Sequence, residues 1–155
     1  MKVKVKVPAT SANLGSGFDV AGLALTLYNT FTFELADQGL NITGCPEQFC
    51  NEENMTYQAF KQAAEICGLE YQGVNIECSG DVPYTRGLGS SSTCIVAGIV
   101  GAFAFKDKVE DRQEILELAT AIEGHPDNVA PAIFGGLTVS VMEEDNVLTL
   151  NIPVK

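Results

Sequence analysis

A glycine- and serine-rich turn at residues 86–93, RGLGSSST, runs directly into an apolar segment at residues 94–105, CIVAGIVGAFAF. The apolar segment has 12 residues, two of them glycines, and is too short to span a bilayer. We expect a helix over residues 91–105, with the turn at its N-terminus. Its unpaired N–H groups and the positive end of its dipole would then face an anion. A capped helix start has the same composition, so the turn alone leaves both interpretations open.

Six segments have the two-residue alternation, or the β-branched and aromatic composition, that is typical of strands. In the first, KVKVKV, we expect the valines on a buried face and the lysines in water, with Pro8 ending the strand. Residues 9–22 are rich in glycine, serine and asparagine and are expected to form an ordered turn region. The six predicted strands cover residues 2–7, 23–35, 40–43, 73–80, 137–142 and 146–152, the last two as a hairpin.

Apolar residues at helical spacing predict two further helices, over residues 55–67 and 112–122. Asn54 is the expected cap of the first, and Gly68 its stop signal. Pro126 is expected to start a short helical turn that ends at a glycine pair. Strands and helices are mixed along the chain, without an internal repeat or a linker, which predicts a single α+β domain.

The charge balance limits the partners of this chain. Twenty acidic residues against nine lysines and arginines give a formal net charge of -11, which repels nucleic acid and anionic membranes. An anionic ligand would need a local device such as a helix N-terminus or a metal ion. The N-terminal sequence lacks the apolar core of a signal peptide, so a cytoplasmic protein is expected.

Five cysteines, an odd number, occur without any C-x-x-C pair and beside a single histidine. A structural metal site is therefore disfavoured, and we expect reduced, mostly buried thiols. A disulfide between Cys45 and Cys50 stays open as an alternative.

Two further stretches are rich in polar groups that could hold a ligand. They are PATSANLGSGFDVAGLAL, at residues 8–25, and EGHPDNVAPAIFGG, at residues 123–136. Taken singly, Asn13 and Asp19 are more typical of turns than of ligand sites, and Glu123 is more typical of an exposed helix end. Spacing alone does not unite the stretches. The residues concerned are Ser11, Asn13, Ser16 and Asp19 in the first stretch, and Glu123, His125, Asp127 and Asn128 in the second.

Together with VPYTRGLGSSSTCIVAGIVGA, these stretches resemble the GHMP family of small-molecule kinases, in order and over essentially the whole chain. SANLGSGFD and HPDNVAPA are most similar to the homoserine-specific members, whereas P-x-x-x-G-L-G-S-S-S is shared with mevalonate and galactose kinases. The resemblance implies the family's N-terminal lobe, a mixed sheet with helices on one face. It also implies an unusual left-handed β-α-β connection around the phosphate loop.

The resemblance assigns roles to individual residues. Ser91 and a glutamate in the helix before the histidine motif would hold Mg²⁺. Glu123 is the better match for this glutamate, and Glu117 is the alternative. The implied amino acid site consists of Asn13, Asp19, His125 and Asn128, with Asn128 also orienting the hydroxyl and Asp127 where some members have a catalytic base. The implied ATP loop consists of Pro83, Tyr84, Thr85, Arg86, Gly87, Leu88, Gly89, Ser90, Ser91, Ser92 and Thr93.

The implied reaction is ATP- and magnesium-dependent phosphorylation of L-homoserine to O-phospho-L-homoserine, for threonine biosynthesis. Homoserine-specific members are about twice as long, so residues 1–155 are expected to be the N-terminal ATP-binding domain, without the C-terminal GHMP domain. Whether this chain is active alone is left open, and exposed apolar surface would favour self-association. The alternatives are a catalytically silent nucleotide- or metabolite-binding module and another member, such as a mevalonate kinase.

Overall fold

The helices and strands follow in mixed order, as the sequence predicts for an α+β domain. The computed structural model describes residues 1–144 and 146–155, with the backbone alone at residues 17–19. Within them, the strands are β1 Lys2–Leu14, β2 Gly17–Ala36, β3 Gly39–Thr43, β4 Gly73–Gly80, β5 Leu137–Glu143 and β6 Asn146–Ile152. The helices are α1 Met55–Cys67, α2 Ser90–Ala104, α3 Arg112–Glu123 and α4 Val129–Phe134, with a 3₁₀ turn at Glu47–Phe49.

The strands form one mixed sheet, which confirms the expected sheet type. Its order is β3-β4-β2-β5-β6, and β1 pairs with β2. The β3–β4 pair is parallel and is connected through α1, whereas the other pairs are antiparallel. β2 is the longest strand, at 20 residues, and contacts β1, β4 and β5. The left-handed connection around the phosphate loop stays a prediction.

The expectation that Pro8 ends the first strand is wrong. β1 continues through Pro8 to Leu14, and β2 begins at Gly17, so most of residues 9–22 lie in paired strands rather than in a turn region. Among the described strands β1 pairs with β2 alone, and its register shifts between Pro8 and Thr10. An edge strand with a register irregularity tolerates the missing N–H of a proline.

The ends of the helices follow the predicted capping signals closely. The Asn54 side chain accepts from the backbone N–H of Tyr57, and Gly68 ends α1 with a φ of 70°. The last helix, however, begins at Val129 rather than at Pro126. The carboxylate of Asp127 accepts the backbone N–H of the next residue, at 3.0 Å, and this local bond competes with helix formation.

The core lies between the sheet and the helices, and α2 occupies its centre. Phe33 of β2 stacks on Phe60 of α1, with ring centroids 5.4 Å apart. α2 packs against α1, α3, α4 and the sheet and buries most of its residues. A Cβ at Gly98 would overlap the backbone oxygen of Thr56, so the close approach of α1 and α2 requires glycine there. No helix in the described part of the chain is long and apolar enough to cross a bilayer.

The β5–β6 hairpin exposes an apolar surface. Val141, Leu148 and Leu150 have relative exposures of 55%, 57% and 62%, and Met142 and Ile152 are also exposed. Within the described part of the chain, no helix or strand packs over these side chains.

We expect Gly98→Ala to destabilise the fold, by roughly 1–3 kcal/mol, because the added methyl group overlaps α1. At an open helical position the same change would instead stabilise by about 1 kcal/mol. Urea unfolding followed by circular dichroism measures the difference. Ala121→Gly, at an exposed position of α3, calibrates helix propensity and should cost about 1 kcal/mol. A stabilised Gly98→Ala variant would contradict the packing argument.

Candidate active site

The loop before α2 ends in a helix N-terminus that no side chain caps. Gly89 is the N-cap residue, with a φ of 68°, and makes no side-chain cap hydrogen bond. The first N–H groups of a helix have no intrahelical carbonyl partner. Ser90 and Ser91, in that first turn, line a large cleft. The arrangement can therefore receive an anion at the positive end of the helix dipole.

The cleft has a volume of about 1000 Å³. Its walls are the loop before α2, the middle of β2 and the end of β4 that pairs with it, and the start of α1 with the segment before it. The segment at residues 44–54 closes one side and contributes Cys45, Phe49 and Asn54. Phe49 and Tyr84 lie with ring centroids 6.2 Å apart. One end of the cleft is thus polar and the other largely apolar, as in many small-molecule sites.

Asn29 of β2 braces both ends of the loop. Its Oδ1 accepts the backbone N–H of Val82 at 3.2 Å, and its Nδ2 donates to Thr93 Oγ1 at 3.0 Å. Thr93 in turn donates to the carbonyl oxygen of Ser90 at 2.7 Å. Because Thr93 is fully buried, these bonds hold the loop against the core.

Ser91 and Glu123 meet beside the helix N-terminus. Ser91 Oγ donates to Glu123 Oε1 at 3.0 Å and lies 3.3 Å from Oε2. Glu117, the alternative partner, instead accepts from Gln113 Nε2 at 2.8 Å, and the same amide nitrogen donates to the carbonyl of Val147. Of the two glutamates that the sequence suggested, Glu123 is the one paired with Ser91.

A hydroxyl and a carboxylate at hydrogen-bond distance form a donor set that suits Mg²⁺. This ion commonly keeps several waters and is held by one or two carboxylates plus substrate phosphates. Among the described residues there is no cluster of three or more histidine, cysteine, aspartate or glutamate side chains that could hold a metal. Ser91 and Glu123 therefore fit a magnesium ion that arrives with a nucleotide.

The residues before α4 form a hydrogen-bonded group next to the loop that precedes α2. Asp127 is only 1% exposed, and its carboxylate bonds His125 Nδ1 and the backbone N–H of Asn128. Asn128 lines the cleft, and its Oδ1 accepts from Thr10 Oγ1 at 2.8 Å. Because a Cβ at Gly22 would overlap the carbonyl oxygen of Asp127, glycine is needed for β2 to approach this group.

The structure brings only part of the predicted site to the cleft. The side chains of Ser92 and Thr93 are buried in the core. His125 is partly exposed but does not line the cleft. The side chain of Asp19 lies outside the described residues. The predicted residues that line the cleft are Asn13, Tyr84, Thr85, Arg86, Gly87, Gly89, Ser90, Ser91 and Asn128, and those that do not are Pro83, Leu88, Ser92, Thr93, Glu123, His125 and Asp127.

Sequence reasoning missed two residues that organise this site. Asn29 interrupts a run of β-branched and aromatic residues, and asparagine is depleted in strands, so its position carried a usable signal. Thr10 carried none, since threonine is an ordinary strand residue.

The cysteines lie differently from expectation. All five are free, but only Cys67 is fully buried, because Cys45, Cys78 and Cys94 line the cleft. Cys45 Sγ and Cys50 Sγ are 3.2 Å apart. Burial, reinforced by the neighbouring thiols, raises the pKa of Cys45 to about 11 and that of Cys78 to about 12. These thiols are therefore protonated at neutral pH and are weak nucleophiles.

Residues 54–136, which include the loop, α2 and the group before α4, match the family GHMP kinases N terminal domain. The chain belongs to the GHMP kinase family. It is 51% identical, over 154 residues, to a homoserine kinase of Clostridium beijerinckii, covering 99% of this chain and 52% of that protein.

Solved structures agree with this assignment to the GHMP kinases. A Cytophaga hutchinsonii homoserine kinase matches with a TM-score of 0.81 and 30% identity, over 99% of this chain and 52% of that one. A Listeria monocytogenes chain assigned as a homoserine kinase gives a TM-score of 0.85 and 35% identity, over 99% and 54%. This GHMP kinase chain spans about half the length of the curated relatives it matches.

The raised thiol pKa values predict a loss of stability in alkali. An unfolded thiol ionises near 9.0, whereas Cys78 holds its proton to about pH 12 when folded, so the free energy of unfolding falls as pH rises between these values. Denaturant unfolding at pH 7 and pH 10.5 measures this fall. The Cys78→Ala variant should show a smaller fall in the free energy of unfolding than the unmodified chain, because the two proteins differ only in the thiol at residue 78. An equal fall in both proteins would contradict a raised pKa at Cys78.

Proposed function

We propose that this chain is the N-terminal, nucleotide-binding domain of a homoserine kinase. In this reaction the γ-phosphoryl group of ATP is transferred to the side-chain hydroxyl of L-homoserine, giving O-phospho-L-homoserine and ADP. The observation that carries the proposal is that the Ser91–Glu123 pair and Asn128 flank the uncapped N-terminus of α2. The homoserine kinases among its relatives, which match along 99% of this chain, support the choice of substrate.

The shape of the cleft supports ATP as the phosphoryl donor. Its polar end lies at the helix N-terminus, where backbone N–H groups attract phosphate. At its apolar end, Phe49, Tyr84 and Val82 offer a surface for a nucleobase. A chain of net charge -11 repels anions over most of its surface, so the phosphates depend on this local device.

Ser91 and Glu123 would hold magnesium in this proposal. The ion, when bound, neutralises phosphate charge in a transfer whose transition state is largely dissociative. Ser91 contributes a hydroxyl oxygen and Glu123 a carboxylate, both on elements fixed by the core.

Asn128 would orient the acceptor hydroxyl toward the phosphoryl group. The hydroxyl oxygen forms the new P–O bond, the bond to the β-phosphate oxygen breaks, and the hydroxyl proton is released. Asp127 is buried and its carboxylate is already bonded to His125 and to the Asn128 backbone, so it supports the position of Asn128. Positioning supplies most of the catalysis in such a transfer, which makes a carboxylate base unnecessary.

The second half of the enzyme would complete the site. The curated relatives are about twice the length of this chain, and the β5–β6 hairpin exposes an apolar surface that a further domain or a second copy would cover. We place the reaction in threonine biosynthesis in the cytoplasm. The half-length match also favours one alternative, a chain that binds nucleotide without turnover.

The substrate assignment is tested by ADP release. With ATP and magnesium, homoserine is expected to stimulate ADP formation by this chain, and mevalonate is not. ATP binding, followed by calorimetry, is measured in parallel. Turnover on mevalonate would overturn the substrate, and ATP binding without turnover on either alcohol would favour the silent module.

Glu123→Gln tests the magnesium site. We expect half-maximal ATP binding to require roughly tenfold more Mg²⁺, since a contact with a charged group contributes about 1.5 kcal/mol. Glu117→Gln is the matched control on the same helix and should stay within about twofold of the unmodified chain, because its carboxylate contacts Gln113 instead. A larger effect at Glu117 than at Glu123 would reverse the assignment.

A further inference from the structure

Thr10 connects the first strand to both halves of the site. It is fully buried in β1, next to the register shift after Pro8. Its backbone N–H donates to the carbonyl oxygen of Leu88, in the phosphate loop, at 3.1 Å. Its hydroxyl donates to Asn128 Oδ1 at 2.8 Å. One residue thus holds the loop with its backbone and the cleft-lining amide with its side chain.

The space around this hydroxyl is closed by the phosphate loop. A Cβ at Gly89 would overlap Thr10 Oγ1 and would lie 3.4 Å from Asn128 Oδ1. The absence of a side chain at Gly89 therefore leaves room for the Thr10–Asn128 hydrogen bond directly beneath the loop. The bond is buried on its Thr10 side, whereas Asn128 lies at the wall of the cleft.

The hydrogen bond determines which atoms of Asn128 are available. With Oδ1 accepting from Thr10, the amide plane is fixed and the Nδ2 hydrogens are turned away from Thr10. The backbone N–H of Asn128 is fixed separately by the Asp127 carboxylate. Asn128 lines the cleft, and with Oδ1 bonded to Thr10 its Nδ2 hydrogens are the donors that this side chain can offer a ligand there.

We propose that Thr10 is a positioning residue that sets the amide orientation of Asn128, so that Asn128 donates to the oxygen of the acceptor hydroxyl. A donated hydrogen bond to this oxygen leaves a lone pair free for attack and leaves the hydroxyl proton free to depart. This role rests on the proposed phosphoryl transfer. The orientation of the amide itself does not, and it can be measured without turnover.

The direct test is the side-chain amide signal of Asn128 in proton–nitrogen NMR spectra of the 155-residue chain. The pair of side-chain amide signals that is absent from the spectrum of Asn128→Ala belongs to Asn128. Thr10→Val keeps the shape of the side chain but removes the hydroxyl, and should move this pair toward that of exposed Asn41 with faster hydrogen exchange. Thr10→Ser should retain the signal of the unmodified chain.

Thr120→Val is the matched control. Thr120 is also buried, and its hydroxyl has no hydrogen-bond partner among the described residues, so this change should leave the Asn128 signal in place. If Thr10→Val does not fold, Thr10→Ala takes its place and is read in the same way. An Asn128 signal that is unchanged without the Thr10 hydroxyl overturns the proposal.

Kinetics separate this role from a purely structural one. Thr10→Val should lower homoserine-dependent ADP formation about tenfold while ATP affinity stays within about twofold, because the backbone bond to Leu88 is retained. An equal loss of ATP affinity would instead indicate a general structural role and count against the proposal. If the unmodified chain binds ATP but forms no ADP with homoserine, the silent module is favoured, and the amide signal alone decides the role of Thr10.

Discussion

The burial of α2 is the constraint on which the rest of this structure depends. Its apolar side chains, and the close approach that its two glycines allow, let α1, α3, α4 and the sheet pack around it. A helix held on all sides cannot shift along its axis without disrupting the core. Its N-terminus therefore stays fixed at the cleft, where its dipole and first N–H groups could act on an anion.

A small set of buried and partly buried polar residues holds the site in place against this helix. Asn29 bonds both ends of the loop before α2 and so holds them to the sheet. Thr10 bonds Leu88 of that loop through its backbone and Asn128 through its side chain. Asp127 fixes the backbone at Asn128 from the other side. Buried hydrogen bonds of this kind contribute modestly to net stability but specify one arrangement of the groups they join. In an acidic protein, such local order has to replace long-range attraction of a phosphate ligand.

Much of the fold follows from sequence patterns whose physical basis is local. Period-two alternation located β1 and the β5–β6 hairpin, and the caps Asn54 and Gly68 bounded α1. The exceptions arose where tertiary pairing overrode local composition. Pro8 and the glycine-rich residues after it became strand because β2 pairs along β1, and those residues had been expected to form a turn. Four cysteines proved only half-buried, three of them, Cys45, Cys78 and Cys94, because they line a cleft that no local pattern reveals.

The sequence by itself determined the chemistry that this chain carries: a glycine-rich helix start, Ser91, two candidate glutamates and the cluster from His125 to Asn128. The helix start and the polar cluster are readable because their residue types are local, whereas the roles of Ser91 and the glutamates come from the resemblance to the GHMP kinases. Only the tertiary structure decided which groups meet. It paired Ser91 with Glu123 and not Glu117, and it placed Thr10 beside Asn128 across 118 positions of sequence. Such contacts depend on how the sheet and helices pack, and the sequence around each partner carries no record of that packing.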